Sequence, residues 1–185
     1  MYKLHPVDRE YDLERLLNIS RENIANTIHS EYKPTVPFSS QMFGAGKSTL
    51  GENALELLKE DLACSPDKQR VVPLLLKRGW SLQEIKRYAF ACPVLVDLQH
   101  DVNQRSSTFR DAMFAALYRA AIGKGKISLA EAEKELYATP FTTTEFIDRL
   151  KARTGADLFY IFIDEIRLIE EFAARSSLAL FSDLR

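Results

Sequence analysis

Three of the chain's seven glycines fall between Gly44 and Gly51, in the stretch SSQMFGAGKSTLG, and they crowd around Lys47, Ser48 and Thr49. Glycine permits tight curvature and a close approach of the backbone to a bound group. Just upstream, Val36 to Gln41 is a short strand candidate. Pro37 suits only the first position of such a strand, because it removes a ladder donor. Just downstream, Leu50, Ala54, Leu57, Leu58 and Leu62 set an apolar helical stripe that begins at Lys47. A strand that turns sharply into a helix beside a cation and two hydroxyls is suited to an anion, and above all to a phosphate held by converging amides.

The remaining pattern alternates helices with apolar runs. Leu13, Leu16, Leu17, Ile24 and Ile28 recur at helical spacing between Asp8 and Ser30. In VVPLLLKRGWSLQEIKRYAF the second half reads as a helix, opened by Ser81 and Glu84 as a capping box. ACPVLVDLQHD reads as a strand buried on both faces. Ser106 or Ser107 can cap a helix through FRDAMFAALYRAA to Gly123, and GKGK follows as a flexible, basic turn. Ser128 to Tyr137 is a charged helix, and Thr142 with Glu145 opens another that stops at Gly155. LFYIFIDEI then places apolar residues Leu158 to Ile163 directly before Asp164 and Glu165. Helices separating buried-type strands imply an α/β fold with a parallel sheet.

Composition narrows the function. With 46% hydrophobic and 28% charged residues over 185 positions, the chain has the material for a buried core, and one domain is the expectation. The net charge of −1 removes any global electrostatic argument for nucleic acid or an anionic membrane, and the two lysines of GKGK are too few to restore one. Cys64 and Cys92 read as two small buried hydrophobes in a reducing compartment. His5, His29 and His100 form no ligand cluster. The first residues carry no apolar core of a signal peptide, and no apolar run is long enough to span a bilayer. The expected location is therefore intracellular, cytoplasmic or nuclear.

Gln41 to Thr49, QMFGAGKST, resembles the P-loop (Walker A) motif in the form with glycines at its first, fourth and sixth positions. Gly44, Gly46, Lys47 and Ser48 match, and Gln41 stands where the first glycine belongs. LFYIFIDEI resembles a Walker B strand. Its Asp-Glu pair resembles that of the additional-strand, catalytic-glutamate class, which includes AAA+ and signalling NTPases. Across Lys33 to Glu165, the glycine-rich stretch, the PVLVDLQ strand and the FIDE strand together look like the NTPase region of Crinkler-type effector proteins, where this region is one module of a longer protein.

The resemblance implies a parallel-sheet P-loop nucleoside triphosphatase sandwich with ATP and Mg²⁺ as its ligands. Gly44, Ala45 and Gly46 would supply amides, Lys47 the phosphate-binding cation, Ser48 a Mg²⁺ ligand and Thr49 an α-phosphate contact. Asp164 would orient Mg²⁺ through water, and Glu165 would polarise the attacking water. The expected organisation is an N-terminal helical segment over 1–32, a nucleotide-binding core over 33–165 and a C-terminal helix over 166–185. In this class a sensor strand follows Walker B. The residues after Glu165 read as a helix instead, so the sandwich is expected to be incomplete at its C-terminus, with reduced or no turnover from this chain alone.

Three functional readings follow. The first is a Mg²⁺-dependent NTP hydrolase module of a larger multidomain protein. The second is a nucleotide-binding interaction module without turnover. The third is a P-loop small-molecule kinase, ranked last because Arg105, Arg110, Arg119 and Arg167 are scattered and surface charge is the default for each. The expected partners are the nucleotide, other domains or proteins, and further copies of the chain, with no membrane. Beyond the motifs, Asp97 reads as a helix-capping or salt-bridge residue that ends the middle strand. Gln99, His100 and Asp101 read as a solvated loop, and Trp80 reads as core.

Overall fold

The structure, a computed structural model, describes residues 9–26, 47–102 and 108–164. These residues form two compact units, one within Met1–Phe90 and one within Ala91–Arg185. Each is described by itself.

Met1–Phe90 holds four helices: α1 (Glu10–Asn26), α2 (Lys47–Ala63), α3 (Val71–Lys77) and α4 (Leu82–Ala89). Helix α3 packs against both α1 and α2, and α2 also packs on α4. On α1, Leu13 and Leu17 are buried, whereas Ile24, expected on the same stripe, is exposed. On α2 the buried residues are Ala54, Leu55 and Leu58. Leu55 takes the place expected for Leu57, because positions 54, 55 and 58 share one face at helical spacing and Leu57 lies to its side, half-buried. The strand expected at Val36 to Gln41 lies outside the described residues.

Helix α3 starts without a side-chain cap of its own. Asp61 of α2 supplies one, accepting from the amides of Arg70 at 2.7 Å, Val71 at 3.0 Å and Val72 at 2.7 Å. The next position is Pro73, which has no amide to satisfy, so the orphan donors of the first turn are accounted for. At the other end Gly79 adopts φ +79°. There the amide of Trp80 reaches the Leu75 carbonyl at 3.1 Å and that of Gly79 reaches Leu76 at 3.0 Å, a Schellman closure. That closure turns Trp80 into the core, where it is 3% exposed, as expected. The Ser81–Glu84 capping box forms at the start of α4.

Ala91–Arg185 contains β1 (Cys92–Asp97), α5 (Leu98–Asp101), α6 (Phe109–Ile122), α7 (Leu129–Leu136), α8 (Thr143–Thr154) and β2 (Phe159–Asp164). The two strands pair in parallel, with Cys92 opposite Phe159 and Asp97 opposite Asp164. Helix α6 lies against β1, and its Ala112 and Ala116 pack with Val94 and Val96. Small residues on that face let the helix approach the strand closely. Other residues of α6, including Tyr118, join α7 and α8 in a second cluster with Ala132, Leu136, Phe146 and Leu150.

Strand β1 was expected to be buried on both faces. Val94 and Val96 are buried beneath α6, but Leu95 is only half-buried and Pro93 is exposed. Helix α6 is capped by Thr108; Ser106 and Ser107 lie outside the described residues. Thr142 and Glu145 form the expected capping box of α8, and Gly155 ends that helix in the left-handed region at φ +71°. The described residues are therefore mixed α/β, mostly helical, with a two-stranded parallel sheet.

Candidate functional site

Parallel strands bring their C-terminal ends to one edge of a sheet, and ligands of open α/β folds gather outside that edge. Here the edge carries two carboxylates, because Asp97 ends β1 and Asp164 ends β2 at paired positions. Residues paired in a parallel ladder lie on the same face, on backbones roughly 5 Å apart. The Asp97 carboxylate accepts from the Gln99 amide at 2.9 Å and so caps α5, the role expected for it. His100 Nε2 lies 3.8 Å from the same carboxylate.

Asp101 departs from expectation. It is 5% exposed and is not part of a solvated loop. Its carboxylate accepts from the Asp97 amide at 2.8 Å, so Asp97 and Asp101 close the single turn of α5 from both ends. Arg119 Nη1 of α6 approaches it at 3.4 Å, and Lys124 Nζ of the following turn bonds directly to it. Burying a lone carboxylate is costly, and these donors offset that cost. Arg119 also donates to the carbonyls of Ile127 at 3.2 Å and Lys124 at 3.3 Å. The GKGK turn, expected to be flexible, is thus tied to the end of β1. Arg119 is a partly buried structural cation, not the expected surface charge.

One sequence signal for this cluster was available. Arg119 follows Ala112 and Ala116 on the apolar face of α6, and a cation at helical spacing with core residues needs a buried partner. That the partner is Asp101 could not be read from spacing, because the contact closes across the α5–α6 connection.

The residues expected to bind nucleotide fall differently. Lys47, Ser48 and Thr49 form the first turn of α2, a turn that contains no acid; their side chains lie outside the description. Gly44, Ala45, Gly46 and Glu165 lie outside the described residues, as do Arg105 and Arg167. Asp164 is half-buried at the last position of β2. The structure brings Asp164 level with Asp97; Lys47 belongs to the other unit.

Other groups are committed to structure. Arg110 lies over the Phe114 ring at 5.5 Å. Cys64 is exposed and Cys92 half-buried, so the two cysteines are not the buried pair expected. Burial pushes the Cys92 thiol above its ordinary pKa. A groove of about 320 Å³ runs along α1, lined by residues including Glu14, Asn18, Arg21 and Arg78. Those four bond to protein partners: Glu14 pairs with Arg78 at 2.9 Å and accepts from Asn18 at 2.5 Å, and Arg21 pairs with Glu84 at 3.1 Å.

Among the described residues no group of three or more His, Cys, Asp and Glu is placed to hold a metal ion. No described helix is long and apolar enough to cross a membrane. Compared with known proteins, the chain matches no family model, no curated protein and no solved structure.

Proposed function

We propose that the chain is a P-loop nucleoside triphosphatase module that binds ATP with Mg²⁺ and hydrolyses it, within a larger multidomain protein. One observation carries the reading: both motif residues that the structure describes stand at the element ends their roles require. Lys47 is the first residue of a 17-residue helix, and Asp164 is the last residue of a parallel strand.

The local chemistry fits the ligand. The start of a helix presents unsatisfied amides and a partial positive charge to a phosphate, and an acid there would oppose binding. The first turn of α2 contains Lys47, Ser48 and Thr49 and no acid. Lys47 contacts the β- and γ-phosphates as a point charge, while the amides of Gly44, Ala45 and Gly46 enclose the β-phosphate. Ser48 and Asp164 hold the metal, Asp164 through water. Bound Mg²⁺ supplies charge neutralisation on the phosphate oxygens. Glu165 accepts a hydrogen bond from the attacking water and orients it.

Calorimetric titration of Mg²⁺-ATP into the intact chain and its Lys47→Ala variant tests this reading. The native chain is expected to bind with a Kd on the order of micromolar to sub-millimolar. Lys47→Ala is expected to lose the heat signal while retaining its fold by circular dichroism. Glu165→Gln should bind as the native chain does and release no phosphate. A folded native chain that binds no ATP would sink the proposal.

A further inference from the structure

Among the described residues, two acids are buried: Glu14 and Asp101. Glu14 joins helices within Met1–Phe90. Asp101 stands at the carboxylate edge of the sheet, and each bond it accepts fixes something there. The first holds the amide of Asp97, the last residue of β1. The others hold Arg119 and Lys124, and through Arg119 the turn as far as Ile127. Strand β1 is in turn hydrogen-bonded along its length to β2, so the level at which β1 ends is shared with Asp164.

We propose that Asp101 is a positioning residue for the Mg²⁺-nucleotide site, acting through the end of β1 on the placement of Asp164. This rests on the nucleotide reading above. A carboxylate that orders a metal ion through water tolerates little displacement, and residues behind it govern metal affinity without touching the metal. Asp101 is built for that part. It is buried, it is held by two cations, and it grips backbone at the residue opposite Asp164. Removing its charge frees the Asp97 amide and leaves Arg119 and Lys124 without their common acceptor. The strand ends then lose their fixed level, while the phosphate-binding turn at Lys47 keeps all its groups. The expected defect is in the metal requirement and not in the capture of phosphate.

The test compares the native chain, Asp101→Asn and Lys124→Gln, with Tyr118→Phe as a structural control. Tyr118 bonds Glu135 at 2.5 Å in the second cluster, away from the carboxylate edge. Three quantities are measured: ATP binding in EDTA, the Mg²⁺ concentration for half-maximal tightening of ATP binding, and amide exchange at Asp97.

For Asp101→Asn the half-maximal Mg²⁺ should rise about tenfold, with binding in EDTA unchanged within about twofold and exchange at Asp97 accelerated. Lys124→Gln, on a partly exposed turn and expected to fold in any case, should raise it about threefold. Tyr118→Phe should lower the melting temperature and leave the Mg²⁺ requirement alone. The proposal falls if folded Asp101→Asn keeps the native Mg²⁺ requirement, or if binding with and without Mg²⁺ weakens equally. Should Asp101→Asn not fold, an unshifted Lys124→Gln overturns it. Native chain that binds no ATP ends the nucleotide reading, and this inference with it. A defect confined to the variants' predicted behaviour ends the inference alone.

Discussion

In Met1–Phe90 the start of α3 is finished by a side chain from another helix, whereas in Ala91–Arg185 the helices α6, α7 and α8 are each capped by the residue directly before them. Asp61 reaches from α2 to close α3. Thr108, Ser128 and Thr142 close α6, α7 and α8 from within their own segments. The polar networks differ in the same way. In Met1–Phe90 they join helix to helix: Arg78 to Glu14, the Trp80 indole to Asn18 at 2.7 Å, and Arg21 to Glu84. In Ala91–Arg185 the buried polar cluster gathers at one strand end around Asp101. The first arrangement fastens packing. The second fastens an edge, which is where a parallel sheet presents its chemistry.

The largest effect expected from breaking this contrast comes from Asp61. Asp61→Ala leaves three amides of the α3 start without their acceptor, two of them on the buried residues Val71 and Val72. Charge-assisted bonds to backbone are stronger than neutral ones, and the stranded donors carry a desolvation penalty. The loss should be about 3 kcal/mol in urea unfolding. Asp61→Asn, which keeps one acceptor oxygen, should lose about half as much. A loss below about 0.5 kcal/mol for the alanine variant would mean that α3 starts without help from α2.

This contrast also explains what was legible in the sequence. Ser81–Glu84 and Thr142–Glu145 were readable because a capping box lies within four consecutive residues and its reward is local. Strands β1 and β2 were readable from short β-rich runs between helices, and their parallel pairing from the helices that separate them. The start of α3 was not readable. VVPLLLK has no cap of its own, and the acid that supplies one sits nine residues before Arg70 on a different helix. Asp101 was hidden for the same reason, since its partners arrive from α6 and the turn beyond it. Burial on β1 was overestimated because a Val- and Leu-rich run does not say which face a helix will cover; α6 covers Val94 and Val96, and Pro93 stays exposed. For the nucleotide site, the order of motifs was legible, as were the ends of α2 and β2 on which Lys47 and Asp164 stand.

A smaller effect belongs to the self-capped helices. Thr142 Oγ1 accepts from the Glu145 amide at 3.3 Å, and the Thr142 amide donates to the Glu145 carboxylate at 2.5 Å. Thr142→Ala removes the first of these bonds and leaves the second, so it should cost about 1 kcal/mol. Amide exchange should accelerate in the first turn of α8 while that of α7, capped separately by Ser128, stays as it was. If α7 loosens equally, the two caps are coupled through the packing of their helices, and the contrast with α3 is one of degree.

The smallest effect is that of acid on the capping glutamates. The backbone amide of Ser81 holds the Glu84 carboxyl below the ordinary glutamate pKa of 4.5, and that of Thr142 does the same for Glu145. For Glu131 the Ser128 hydroxyl is the larger influence. In each case the folded chain favours the charged form more than the unfolded chain does. The stability they contribute is therefore complete above the unfolded carboxyl range and is lost as pH falls through their lower folded values. Each site is exposed to solvent and should contribute little. Gln at the third helical position keeps the shape of a capping box without its titration. Between about pH 6 and about pH 3, Glu145→Gln should therefore lose less stability than the native chain, and Glu131→Gln likewise. Parallel curves for native and variant chains over that interval would mean that the boxes act through hydrogen-bond geometry alone. The acid sensitivity of the chain would then lie in groups such as Glu10, whose carboxyl is lowered chiefly by its bond to Arg70 in Met1–Phe90.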